Sequence, residues 1–186
     1  MTREHSGRVL IAMGVCGAGK TALADILASR LSLPMVDADD HHSDLARDAM
    51  SRGEPLTDAE RLPWIDRVGE AAQTALNADG GVVIACSALR KIYRDRLREH
   101  LPAAFFIHLT GERDLIATRL EGRRDHFVGQ PLLDSQLATL EQLSADESGM
   151  VVNIASSLEK ISEAVLRKMG DAASVSPITS PAPEHS

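Results

Sequence analysis

The segment "GVCGAGKT", residues 14–21, combines glycines with a lysine–threonine pair in the spacing G-x-x-x-x-G-K-[ST]. Glycines in this pattern let backbone N–H groups turn toward phosphate oxygens at the positive end of a following helix. The ammonium group of Lys20 can reach the β- and γ-phosphates of a nucleotide, and the hydroxyl group of Thr21 can ligate Mg²⁺. A glycine-rich turn without a ligand would explain the glycines but not the lysine–threonine pair. The residues assigned to this phosphate loop are Gly14, Val15, Cys16, Gly17, Ala18, Gly19, Lys20 and Thr21.

A second group of chemically active side chains lies in "VDADDHHS", residues 36–43. Asp37 and Asp39 are two residues apart, so in an extended chain both carboxylates point to the same side. One of them, Asp37, could support Mg²⁺ through a water molecule while Asp39 accepts a proton from an attacking hydroxyl group. A metal site built from the two adjacent histidines is less favoured, because their imidazoles point apart and no second ligand cluster follows. For Asp40, His41 and Asp44 we expect only a place in an acidic turn that caps the next helix.

Short apolar runs that are typical of buried strands separate these motifs from one another. The runs cover residues 8–13, 34–37, 81–86, 104–109 and 149–155. Between most of them, apolar residues recur at helical spacing, for example at Leu23, Ile26, Leu27 and Leu31. Apolar strands that alternate with helices indicate a parallel sheet covered on both faces. The carboxyl ends of such strands open onto the ligand crevice, which places the acidic motif beside the phosphate loop.

Two longer connections interrupt the alternation of strands and helices. Residues 38–80 contain two helical stretches, and residues 122–148 contain a loop and a helix. Insertions at these points could close over a ligand. The last helix is predicted to begin at a capping box, "SSLE" at 156–159, and to end at Gly170.

The length of 186 residues suits a single domain with a full hydrophobic core. We expect a flexible N-terminus at residues 1–7 and one domain from residue 8 to residue 170. Residues 171–186, "DAASVSPITSPAPEHS", contain almost no large apolar groups, and we expect them to form a disordered tail.

The overall composition excludes several classes of protein. Hydrophobic residues make up 44% of the chain and charged residues 25%, close to ordinary globular averages. The net charge of −7 argues against a general nucleic-acid-binding protein, which usually needs a basic face. No apolar run approaches the roughly 20 residues of a membrane span, and "MTREHSGR" lacks the apolar core of a secretory signal. Two cysteines are too few for a disulfide framework, so a cytoplasmic location is expected.

Taken together, six motifs resemble those of the small P-loop gluconate kinases, which are related to shikimate kinase and the nucleotide monophosphate kinases. The resemblance runs from about residue 8 to residue 168. It implies a three-layer α/β/α P-loop fold with a five-stranded parallel sheet in the order 2-3-1-4-5, an acceptor-binding insertion and a lid. The motifs are "MGVCGAGKT", "VDADDHHS", "MSRGEPLTDAERLPWI" (50–65), "CSALRKIYRDRLRE" (86–99), "GRRDHF" (122–127) and "LLDSQLATLE" (132–141).

The resemblance implies ATP-dependent phosphorylation of D-gluconate at its terminal hydroxyl group, giving 6-phosphogluconate and ADP for carbohydrate acid degradation and the pentose phosphate route. The phosphate loop, with Lys20 as a catalytic residue, would bind ATP and Mg²⁺. By similarity to the Asp-x-Asp of the wider kinase group, Asp39 would orient or deprotonate the acceptor and Asp37 would support Mg²⁺. His42 matches the loop histidine of the family and would help to hold the sugar acid.

Three further residues are candidates for contacts with the acceptor. Arg61, in "DAER", is the candidate for the gluconate carboxylate, since a guanidinium group can bind a carboxylate through two hydrogen bonds; a surface arginine at a helix start is the alternative. Ser87 follows the third strand and could bind a polyol, or simply cap a helix. Arg94 lies on that next helix, and either it or Lys91 is expected to face the crevice.

A basic cluster marks the proposed lid. Arg119 is assigned to ATP binding, and Arg123 and Arg124 to stabilising charge on the transferring phosphoryl group, although solvated helix charge explains at least one of the three equally well. The chain departs from the family pattern at two positions of the acidic motif. Ala38 stands where the family usually has glycine and Ser43 where it has proline, so the acceptor loop is expected to sit differently.

A phosphate loop alone does not distinguish kinases from GTPases or motor ATPases. Two alternatives therefore remain beside the gluconate kinase hypothesis. One is a kinase of the same fold that acts on another small acid or polyol, such as shikimate; the other is an ATP-binding switch without turnover. The expected partners are ATP and D-gluconate, with no nucleic acid and no membrane, and the resemblance allows a homodimer.

Overall fold

The computed structural model describes residues 7–52, 56–122 and 129–173. Its centre is a sheet of five parallel strands in the order β2-β3-β1-β4-β5. The predicted strand positions and the predicted order are confirmed. The strands are β1 (Arg8–Met13), β2 (Met35–Asp37), β3 (Gly81–Ala85), β4 (Ala104–Thr110) and β5 (Gly149–Asn153).

Helices connect the strands and cover both faces of the sheet. Seven α-helices are found in the described residues, and a short 3-10 helix, Ala38–His41, follows β2. The α-helices are α1 (Lys20–Leu31), α2 (Asp44–Ser51), α3 (Asp58–Asp79), α4 (Lys91–His100), α5 (Arg113–Glu121), α6 (Gly129–Thr139) and α7 (Leu158–Ala173).

Alternate side chains of the sheet pack into two separate cores. On β1, Leu10 and Ala12 belong to the core formed with α1, α5 and α7. Val9, Ile11 and Met13 belong to the opposite core, formed with α3 and α4. Since every strand of a parallel sheet presents side chains to both helix layers, the continuous apolar runs of the sequence are explained by this arrangement. The carboxyl ends of the strands are left to carry the polar groups.

The two ends of α7 differ from the prediction. The helix begins at Leu158, and the hydroxyl oxygen of Ser157 accepts a hydrogen bond from the N–H of Lys160, so Ser157 and not Ser156 caps the helix. Glu159 instead forms an ion pair with Arg30 on α1. The predicted stop at Gly170 is also wrong, because the helix continues to Ala173. The rest of the proposed tail lies outside the described residues.

No helix in the described parts of the chain is long and apolar enough to cross a membrane.

Candidate active site

Three glycines give the phosphate loop its shape. Gly14, Gly17 and Gly19 have φ angles of 142°, 78° and 100°, a region that residues with a side chain rarely adopt. A Cβ atom on Gly14 would lie 2.7 Å from the carbonyl oxygen of Leu109, and one on Gly17 would lie 2.6 Å from Cγ of Leu120. The loop then leads into α1, whose first N–H groups have no intrahelical acceptor. Such a helix start can bind phosphate.

Lys20 points back along the loop. Its Nζ donates a hydrogen bond to the carbonyl oxygen of Val15 at 3.0 Å. Burial lowers the pKa of Lys20 from its usual value, and the nearby carboxylates of Asp39 and Asp37 act in the opposite direction. A half-buried ammonium group that lines the cleft is a site where negative charge from phosphates would be stabilised.

Thr21 and Asp37 form a pair across the crevice between α1 and β2. The hydroxyl group of Thr21 donates to Oδ2 of Asp37 at 3.0 Å, and Oδ1 of Asp37 accepts the N–H of Asp39 at 3.1 Å. Hydroxyl and carboxylate oxygens are the ligand types that Mg²⁺ prefers. The two side chains assigned to the metal from sequence are therefore together and chemically suited to it.

A single cleft brings the phosphate loop and both aspartates together. The reason given from sequence for pairing Asp37 with Asp39 is wrong, because Asp39 lies in the 3-10 helix and not in an extended chain. The tight turn nevertheless leaves both residues on the wall of the cleft. The cleft is lined by Cys16, Gly17, Gly19, Lys20, Thr21, Asp37, Asp39, Ala85, Cys86 and Ser87.

Ser87 reaches this cleft from the end of β3. Its carbonyl oxygen accepts a hydrogen bond from the N–H of Gly14 at 3.3 Å, which ties the loop after β3 to the phosphate loop. The alternative role as a helix cap does not hold, because α4 begins at Lys91 and its N-cap is Arg90. Ser87 therefore remains a candidate for acceptor binding.

Residues of α3 hold the acidic loop in place. Nε1 of Trp64 donates to the carbonyl oxygen of Ala38 at 2.7 Å, and the Trp64 indole stacks on His42 with ring centroids 4.3 Å apart. Nε of Arg67 donates to the carbonyl oxygen of His41 at 2.9 Å. Neither Trp64 nor Arg67 was predicted from the sequence to belong to the site. A lone tryptophan in an otherwise aromatic-poor chain was the available signal.

The two departures in the acidic motif have simple local explanations. Ala38 is 1% exposed and lies in the 3-10 helix, and it is not among the residues with positive φ, so glycine is not required there. Ser43 is the N-cap of α2, where its hydroxyl oxygen accepts the N–H of Ala46 at 3.2 Å. Serine thus replaces the rigidity of proline with a hydrogen-bonded helix start.

Arg61 lies near His42 and Tyr93. Its Nε donates to the carbonyl oxygen of Leu56 at 3.0 Å, and its guanidinium carbon is 6.0 Å from the centre of the Tyr93 ring. Burial lowers the pKa of His42; the carboxylate of Asp39 opposes this shift, and the charges of Arg61 and two other arginines add to it. Arg61 is therefore a cation within electrostatic reach of the acceptor loop.

The assignment of Arg94 to the acceptor is wrong. Its side chain is fully buried, and it forms hydrogen bonds of 2.7 and 2.9 Å to the two carboxylate oxygens of Glu147. The remaining guanidinium donors bind backbone carbonyl oxygens, including those of Ala88 and Glu141. No donor is left for a substrate. Arg94 instead anchors α4 to the segment between α6 and β5.

Of the three arginines of the proposed lid, only Arg119 belongs to the described residues. Arg119 lies near the end of α5, and its Nη2 donates to the carbonyl oxygen of Ile154 at 2.7 Å. Arg123 and Arg124 lie outside the described residues. Their assigned roles, and that of Arg119 toward ATP, remain predictions.

The two cysteines are free thiols in the described structure, and both line the cleft. Burial raises the pKa of Cys86 to about 12, and burial also raises the pKa of Cys16, although Lys20 acts against this shift. Both groups are therefore held as thiols, which are poor nucleophiles.

Comparisons with known proteins agree with this geometry. The model of a family described as "Shikimate kinase" matches residues 16–169. The thermoresistant gluconokinase of Escherichia coli (strain K12) is 38% identical over 161 residues, which cover 86% of this chain and 92% of the relative. Among solved structures, an unliganded sugar kinase from Janibacter sp. HTCC2649 is 40% identical with a TM-score of 0.83, covering 92% of this chain and 99% of that one. A gluconokinase from Sinorhizobium meliloti 1021 is 34% identical with a TM-score of 0.81, covering 92% and 96%.

Proposed function

Because this chain belongs to the shikimate kinase family, and within it to the gluconokinases, we propose that it transfers the γ-phosphoryl group of ATP to the terminal hydroxyl group of D-gluconate. The products are 6-phospho-D-gluconate and ADP. The observation that carries the proposal is the cleft in which Lys20, the Thr21–Asp37 pair and Asp39 meet.

The phosphate loop would bind the nucleotide. The N–H groups at the start of α1 would donate to the bound phosphates, and the half-buried ammonium group of Lys20 would lie beside them. Mg²⁺, when held by Thr21 and Asp37, would neutralise charge on the β- and γ-phosphates. Catalysis by such a site is mainly positioning and charge stabilisation.

Asp39 would act on the acceptor. Its carboxylate lines the cleft and is the charge that most strongly favours the protonated form of Lys20. In this role Asp39 accepts a hydrogen bond, and then the proton, from the hydroxyl group that attacks the γ-phosphorus. The new P–O bond forms at that oxygen as the bond between phosphorus and the ADP oxygen breaks.

The sugar acid would lie between the cleft and α3. Arg61 is assigned to its carboxylate, His42 to a hydroxyl group, and Ser87 to the end of the polyol near the phosphate loop. The support for Arg61 is its charge close to His42. The other arginine assigned to the acceptor, Arg94, has no free donor. The lid arginines Arg119, Arg123 and Arg124 are proposed to bind the phosphoryl group and ATP.

A cytoplasmic location is part of the proposal, since both cysteines are free thiols, as is usual in a reducing compartment. Homodimer formation remains a prediction from the resemblance to gluconate kinases.

The test is an ADP-release assay with Mg·ATP and a panel of acceptors containing gluconate, other sugar acids, polyols, shikimate and nucleoside monophosphates. We expect turnover with gluconate well above that with every other acceptor. Turnover with shikimate as the best acceptor would assign the chain to another kinase activity. Absence of turnover with the whole panel, despite ATP binding, would favour a nucleotide-dependent switch.

A further inference from the structure

A side chain of α6 reaches the phosphate loop from outside. Oε1 of Gln136 accepts a hydrogen bond from the backbone N–H of Cys16 at 2.6 Å, although the two residues are 120 positions apart. A backbone N–H can only donate, so the carbonyl end of the Gln136 amide must face the loop. Gln136 is half-buried, and nothing in the chemistry proposed above uses it.

The neighbouring helix α5 contacts the next residue of the loop. The backbone of Gly17 lies so close to α5 that an added Cβ would be 2.6 Å from Cγ of Leu120 and 3.2 Å from Cγ2 of Ile116. Helices α5 and α6 are joined by Arg113, whose guanidinium group binds both carboxylate oxygens of Asp134 at 2.7 and 2.9 Å. The two helices therefore pack together against the outer turn of the phosphate loop, residues 15–18.

The hydrogen bond to Gln136 fixes this outer turn without using the amides of the helix start. Ala18 donates its N–H back to the carbonyl oxygen of Val15 at 3.3 Å, and Cys16 donates outward to Gln136. The N–H groups of the first turn of α1 stay available for phosphate. A loop held in its binding conformation loses less conformational entropy when ATP binds.

We propose that Gln136 is a positioning residue for ATP, which acts by holding the Cys16 amide and with it the outer turn of the phosphate loop. This inference rests on the proposed ATP-dependent activity, but not on which acceptor is phosphorylated. Gln136 itself does not touch the reacting atoms in this role. Loss of its carbonyl oxygen should weaken ATP binding and leave the affinity for gluconate unchanged.

The experiment compares Gln136→Met, which keeps the length of the side chain but removes the acceptor, with Gln130→Met on the same helix. Gln130 is a matched control because its amide binds Glu121 at 2.9 Å and not the loop. Calorimetry with the Mg²⁺ complex of a non-hydrolysable ATP analogue should show three- to tenfold weaker binding for Gln136→Met, about the effect of one lost hydrogen bond. The control should stay within twofold of the parent protein. The KM for ATP should rise in parallel, with no change in the KM for gluconate.

A second variant separates positioning from a general loss of structure. Gln136→Glu keeps an acceptor oxygen for the Cys16 amide but adds a negative charge near the phosphates. Amide hydrogen exchange should show a protected Cys16 amide in the parent protein and in Gln136→Glu, and rapid exchange in Gln136→Met. The glutamate variant should bind the analogue more weakly at low salt, with a deficit that shrinks as salt is added.

Unchanged binding of the analogue by Gln136→Met, or a Cys16 amide that stays protected from exchange in this variant, would overturn the inference. An equal rise in the KM values of ATP and gluconate would also contradict it, because that result indicates a general disturbance of the fold. The parent protein provides a separate check on the proposed activity. If it binds the analogue but does not phosphorylate gluconate, the acceptor assignment fails and the role of Gln136 stands.

Discussion

At the scale of single residues, Asp39 is the side chain proposed to accept the proton of the attacking hydroxyl group. Its carboxylate lines the cleft and favours the protonated form of Lys20. The neighbouring Asp40 is exposed, so the same Asp→Asn substitution at position 40 is a matched control. We expect Asp39→Asn to lower kcat by at least about 100-fold, the usual scale for a lost general base, while the Kd for ATP stays within twofold. Asp40→Asn should leave kcat unchanged. Near-normal turnover of the Asp39 variant would remove this residue from the mechanism.

Arg61 is predicted to act on the acceptor alone. The Arg61→Ala variant should raise the KM for gluconate by about 10- to 100-fold, the range of one or two lost charge-assisted hydrogen bonds, with little change in the KM for ATP. The KM for gluconate of Arg61→Lys should lie between those of the parent protein and Arg61→Ala, because lysine keeps the charge and loses the second donor. Initial rates measured against both substrates test this. A KM for gluconate that does not change would exclude Arg61 from the site.

Some of the site residues could be predicted from the sequence and others could not. Lys20, Thr21, Asp37 and Asp39 could be predicted because motif spacing and the edge of a parallel sheet determine where they lie. Arg94 could not, because its burial depends on Glu147, a carboxylate 53 positions away that no local pattern connects to it.

At the scale of elements, the Arg94–Glu147 pair joins α4 to the segment before β5. Both side chains are fully buried. Burial alone would raise the pKa of Glu147, but hydrogen bonds from Arg94 and Ser144 hold it well below its usual range. The carboxylate therefore stays charged and depends on its partners.

Removing one member of this pair should destabilise the folded protein. We expect Arg94→Leu to lower the free energy of unfolding by roughly 3–5 kcal/mol, because it leaves a buried carboxylate without its main partner. The double variant Arg94→Leu/Glu147→Leu should recover part of that loss. Arg96→Leu on the same helix, where the side chain is only half-buried and its ion pairs with Asp66 and Glu99 reach solvent, should change stability by less than about 1 kcal/mol. Urea unfolding measures all three, and an Arg94→Leu variant as stable as the parent protein would contradict this prediction.

The elements themselves were largely predictable, since apolar runs and helical spacing mark the strands and most helices. The turn after β2 was not: "VDADD" contains no feature that distinguishes an extended chain from the 3-10 helix Ala38–His41. The decisive contact is made by Trp64, 26 positions from Ala38, and tertiary contacts of this kind override local preference. The end of α7 was misplaced because glycine at position 170 adopts an ordinary helical conformation.

At the scale of the whole molecule, the sheet buries an ionisable group that the chemistry does not use. His108 on β4 is 0% exposed, and both ring nitrogens lack a hydrogen-bond partner among the described residues. Burial lowers the pKa of His108 to about 4, and the charge of Arg94 adds to the effect. The folded protein therefore keeps this imidazole neutral, whereas the unfolded chain takes up a proton below about pH 6.5.

The sign of the resulting pH dependence is fixed. Between about pH 6.5 and pH 4 the unfolded state binds more protons at His108 than the folded state, so the free energy of unfolding decreases as the pH falls through this window. Between pH 7 and pH 4.5, we expect the free energy of unfolding to decrease by roughly 2 kcal/mol less in His108→Leu than in the parent protein. Urea unfolding at the two pH values tests this, and an identical decrease in both proteins would show that His108 does not contribute.

A competition experiment shows which molecule receives the phosphoryl group. The protein is incubated with Mg·ATP and an equimolar mixture of gluconate, shikimate and AMP, and the products are identified by ³¹P NMR and mass spectrometry. We expect a single new phosphate ester, on the terminal carbon of gluconate, formed together with ADP. Phosphorylated shikimate or newly formed ADP from AMP as the main product, or ATP left unchanged, would contradict this expectation.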